Sequence, residues 1–157
     1  MENGLLEYLS LLDGIRESLD QLTQLNQEKT ECVRKDDLAT LNEILKKEQA
    51  MSLTLRGQEQ KRLKLAESLG LQDVPLRQLA TKYPDSLYLQ AKNTAENLLR
   101  QYEVYGASAE VARNTLECNL HEVEKILQQL GGDPAAGPGY LAPEVAPPAA
   151  MKTDFRA

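Results

Sequence analysis

The chain has 157 residues, enough for one domain, with a formal net charge of −6, a single Phe, no Trp and aromatics at only 4% of residues. Acidic and basic residues are interleaved, which excludes the clustered basic surface that nucleic-acid phosphates require, and no apolar run approaches the roughly 18 residues needed to cross a bilayer. Met1-Glu2-Asn3-Gly4 lacks the basic start of a signal peptide, so the expected location is cytoplasmic, with no stable membrane insertion.

A core must therefore come from Leu, Ile, Val, Met and Ala set among Glu, Gln, Lys and Arg. That is the composition of long packed helices, whose straight-chain residues lose little rotamer freedom. From the N-terminus, Leu5, Leu9, Leu12, Ile15, Leu19, Leu22 and Leu25 recur in steps of three or four. This spacing predicts a first helix over 3–34, with Glu17, Asp20, Gln21, Gln24 and Glu28 on its solvated face. Asp36-Asp37 reads as N-cap chemistry for a second helix, 37–69. Its stripe runs through Leu38, Leu41, Leu45, Leu55, Leu65 and Leu69, widened by Ile44, Met51 and Leu63, and Gly70 is placed to end it.

Pro75 and Pro84 bracket a connector with one short helix near 75–82. A third helix, 85–130, carries Leu87, Ala91, Leu98, Tyr102, Tyr105, Ala109, Ala112, Leu116, Leu120, Val123, Leu127 and Leu130 along one stripe. The predicted fold is all-α: an elongated, antiparallel, coiled-coil-like three-helix bundle over 1–130, running up-down-up. Fifteen of the twenty residues 131–150 are Gly, Pro or Ala, so 131–157 is expected to be a flexible tail, dispensable for folding.

Chemistry is harder to find. His121 is the single histidine and lies within an acidic helical stretch, Glu117 to Glu124. No Cys/His cluster offers a metal site, and no Gly-rich phosphate loop or nucleophile elbow is present. No catalytic, cofactor-binding or metal-binding residues are assigned, and the chain is not expected to be an enzyme. Cys32 and Cys118 are expected at similar heights in the bundle as free thiols.

The order of residues from Asp36 resembles a known family. Asp-Asp-Leu-x-x-Leu at Asp36 to Leu41, Glu48-Gln49, Arg62, the helix end Leu69-Gly70, the Leu/Ile-rich Leu120 to Leu130 and the Pro/Ala/Gly tail are similar to the FlgN family of flagellar export chaperones. The similarity spans 5–130. The family's pair of asparagines three apart in the last helix is replaced here by Gly106-Ala107-Ser108-Ala109, with Asn114 and Asn119 five apart, so no asparagine contact is carried over. The resemblance implies an ATP-independent chaperone. Its implied partners are the C-terminal segments of hook-associated, hook–filament junction proteins and the export gate of the flagellar type III apparatus. A structural coiled-coil homo-oligomer, or a helical adaptor without an export role, is the alternative.

Helix lengths suggest where a partner would sit. The first two helices should be near 48 Å long and the third near 68 Å, at 1.5 Å per residue. If the third is straight, its last dozen residues outrun the others while keeping an apolar stripe. Leu116, Leu120, Val123, Ile126, Leu127 and Leu130 are therefore the expected partner-binding residues, with Tyr105 at the inner edge. A break at Gly106 that folds the end back would hide them instead.

Overall fold

The computed structural model describes residues 2–130, which are all-α. The tail expected over 131–157 lies outside the described residues. Three long helices, α1 (Glu2–Arg34), α2 (Leu38–Leu69) and α3 (Asp85–Gln129), are joined by a tight turn and by a connector containing a 3-10 helix, Leu76–Lys82. The short helix expected in the connector is a 3-10 helix. Pro75 and Pro84 leave eight residues between them, seven of them helical, and i to i+3 bonding suits so short a run.

Both of the first two helices end by the same device. Asp36 takes a left-handed backbone (φ 55°); its amide donates to the Val33 carbonyl, and the Asp37 amide donates to the Cys32 carbonyl at 2.9 Å. At the end of α2, Gly70 (φ 72°) and Leu71 donate to Glu67 and Ala66 in the same pattern, which satisfies carbonyls the helix leaves unpaired. Asp36 and Asp37 therefore do different work. Asp36 closes α1, while the Asp37 carboxylate accepts the Thr40 amide at 3.2 Å and starts α2, a bond that holds its pKa below the ordinary carboxylate value.

Helix α1 lies between the other two: it packs along α2 and along α3, while α2 and α3 share no comparable contact. Ser18 donates to Gln58 and Lys29 pairs with Glu48, so partner numbers fall along α2 as they rise along α1 and the two run antiparallel. Against α3, Tyr83 donates to the Leu5 carbonyl, Gln101 to Thr23 and Asn26 to Ser108, at sequence offsets of 78, 78 and 82. A nearly constant offset means that α1 and α3 are parallel.

The main core sits at one end. Tyr8, Leu9, Leu12, Ile15, Leu19 and Leu22 of α1 meet Leu76, Leu79, Ala80 and Tyr83 of the connector and Ala91, Ala95 and Leu98 of α3. Two alanines on α3 let the backbones approach closely. The stripe expected on α1 is the one buried, with Leu5 and Leu25 at its half-buried margins.

The α2 stripe is buried only in part: Ile44 and Leu55 are buried and Leu41, Met51, Leu65 and Leu69 half-buried, whereas Leu38, Leu45 and Leu63 are exposed, Leu38 by 73%. The face that packs on α1 follows Ile44, Glu48, Met51, Leu55, Gln58, Arg62 and Ala66. Three of its positions are polar because α1 offers Lys29, Ser18 and Tyr8 as partners there.

Candidate functional site

The α1–α3 contact changes character along its length. Near the connector it is apolar. Farther along, α1 buries Thr23, Asn26 and Thr30 before Cys32 and Val33 near its end; Thr23 accepts from Gln101, Asn26 donates to Ser108, and the Ser108 hydroxyl donates to the Tyr105 carbonyl at 2.8 Å. Thr23 and Thr30 bond back to their own helix, so every buried side-chain polar atom among the described residues has a partner. The price in apolar area leaves this half of the interface less strongly held.

Then α1 stops. With the observed offsets of 78 to 82, its last residue, Arg34, is level with residues 112 to 116 of α3. Ala112 is the last buried residue of α3. The helix runs on to Gln129, 45 residues in all, uninterrupted at Gly106. Beyond Ala112 no other helix among the described residues packs beside it, and an apolar row goes on along its surface. Leu116, Leu120 and Val123 are exposed, Ile126 is 55% and Leu130 78% exposed, and Leu127 is half-buried.

Tyr105 differs from these residues. It packs against the main core and is half-buried. Burial first, and then the carboxylate of Glu48 on α2, push its phenol pKa up, with a smaller opposing pull from Arg113. It lies below the overhang, at the level where Lys29 and Glu48 close the α1–α2 side at 3.0 Å.

The other groups singled out from sequence stand apart. His121 is exposed on the overhang. Cys32 is buried near the end of α1, Cys118 is exposed about a turn beyond that level, and both thiols are free. They lie at the same end of the molecule. Among the described residues no group of three or more His, Cys, Asp or Glu could hold a metal ion, and no helix is long and apolar enough to cross a membrane.

Sequence reasoning missed the polar contacts that set the register. Arg62 donates to Tyr8 at 3.1 Å and grips Glu59 through two nitrogens. Burial opposes its charge, but Glu59 and the Tyr8 oxygen more than offset that and raise its pKa. The Glu59-x-x-Arg62 spacing was the visible signal. Comparison of the chain with protein-family models, curated proteins and solved structures finds no match.

Proposed function

We propose that this chain is a cytoplasmic, non-enzymatic export chaperone of the flagellar FlgN type. Its helices act as an elongated, antiparallel, coiled-coil-like three-helix bundle that holds C-terminal amphipathic segments of hook–filament junction proteins, keeps them from assembling and delivers them to the type III export gate. The observation supporting a binding role is the seam of α3 beyond Ala112, an exposed row of large apolar residues continuous with a packed interface. Such a row on a helix with no neighbour suits helix-to-helix capture of an amphipathic segment. The flagellar assignment comes from the resemblance centred on Asp36 to Leu41, Glu48-Gln49 and Leu120 to Leu130.

The test combines binding with stability. Val123→Asp/Leu127→Asp should abolish binding of a junction-protein C-terminal peptide and leave the thermal midpoint unchanged. A fall in the midpoint would show these residues to be core and sink the proposal. A structural homo-oligomer is the second reading, because a seam spaced in steps of four and three also fits a coiled coil with a copy of itself. Light scattering separates the two: a monomer that binds the peptide, or a tight oligomer indifferent to it.

A further inference from the structure

Alongside the α3 seam runs a second, charged row. Leu116, Leu120, Val123, Leu127 and Leu130 alternate in steps of four and three, the heptad seam of a coiled coil. Glu96, Glu103, Glu110, Glu117 and Glu124 recur at steps of seven on the same helix. Glu117 follows Leu116 and Glu124 follows Val123, so both occupy the flank where coiled coils choose partners by charge. The first four are exposed and Glu124 is half-exposed. None of the five joins an ion pair; those among the described residues all lie on α1, α2 and the turn between them. Past Leu116 the one Lys or Arg among the described residues is Lys125, two positions from both Val123 and Leu127 and hence on the opposite face.

A second copy of the chain fits this row poorly. Antiparallel seams would bring glutamate against glutamate, and parallel seams would set Glu117 against Ala112 and Glu124 against Asn119, neither of which is a cation. We infer that the occupant of the seam is a basic amphipathic helix, with Lys or Arg repeating every seven residues beside its apolar stripe. This rests on the docking role proposed above and adds the chemistry of the partner.

Two synthetic three-heptad peptides with one Leu/Ile seam, flanked either by Lys or by Glu, test this against the full chain. The Lys peptide should bind about tenfold more tightly at low salt, as expected of a few exposed ion pairs, and the preference should shrink toward parity in 0.5 M salt. Glu117→Lys/Glu124→Lys should reverse it, with the thermal midpoint checked because both positions are at the surface. Equal affinity for the two peptides, or a preference that the charge reversal leaves unchanged, overturns the inference while the docking role stands. Failure of both peptides to bind overturns the two together. A stable dimer that the reversal does not alter would identify a second copy as the occupant and overturn it as well.

Discussion

Tyr83 shows how one side chain joins distant parts of the chain. Its ring is buried in the core, and its hydroxyl donates to the Leu5 carbonyl at 2.9 Å. Burial, with Tyr8 nearby, pushes its pKa well above the ordinary 10.0 of tyrosine. The folded state therefore favours the neutral phenol. The stabilisation is fully present below about pH 10 and is lost as pH rises toward the higher folded-state value. Denaturant titrations should show an alkaline fall in stability that Tyr83→Phe makes shallower, and at neutral pH that change should cost about 1 kcal/mol for the lost hydrogen bond.

The thiols offer a second residue-scale test. Cys118 is exposed, whereas Cys32 is buried with its pKa raised by desolvation and by Asp37 and Glu28. Iodoacetamide at pH 8, followed by mass spectrometry, should modify Cys118 well before Cys32.

At the scale of elements, the C-terminal end of α2 and the middle of α3 place contrasting demands on glycine. Gly70 has a left-handed backbone, and Gly70→Ala should destabilise by about 1 kcal/mol. A Cβ on Gly106 meets nothing within 4 Å in a helix that is unbroken there, so Gly106→Ala should stabilise by about 1 kcal/mol. Thermal melts of the two variants should move in opposite directions. The Arg62–Glu59 pair, with side chains 11% and 14% exposed, should behave asymmetrically too. Removing Arg62 alone strands a carboxylate and should cost about 3 kcal/mol, whereas Arg62→Leu/Glu59→Leu should cost much less.

These elements show what could be read from the residues and what could not. Helix α1 was legible up to Leu22 because its buried stripe there is mostly apolar, whereas the buried Thr23, Asn26 and Thr30 beyond it give no periodic signal. On α2 the reading held for Ile44, Met51 and Leu55 but Leu38, Leu45 and Leu63 misled, because periodicity counts apolar residues and the packed face includes Glu48, Gln58 and Arg62. Nothing local says that those three have partners on α1. The overhang of α3 was legible as a length difference. Its exposure follows from the register with α1, set by Asn26–Ser108 and Leu5–Tyr83, pairings too far apart in sequence for any local pattern to reveal.

For the whole molecule, cohesion decreases along the α1–α3 axis from the apolar end near Leu79, through the polar contacts at Thr23 and Asn26, to the unaccompanied end of α3. Local opening should follow that order. Amide hydrogen exchange should be slowest around Leu9 to Leu22 and Ala91 to Leu98 and fastest past Leu116. Uniform protection along α3 would contradict it.

The unaccompanied end of α3 has a thermodynamic consequence for recognition. Helix winding in water is only marginally favoured without tertiary packing, and past Ala112 no second helix among the described residues contributes to holding the coil. A partner lying along the seam would supply that missing side, so capture and helix winding become one equilibrium. Affinity then depends on residues the partner never touches. Asn114 is exposed and lies off the seam, and Asn114→Ala should raise helix propensity there by about 0.5 kcal/mol. It should tighten peptide binding roughly twofold and reduce the gain in helical circular dichroism on binding, because more of the helix is already wound before the partner arrives.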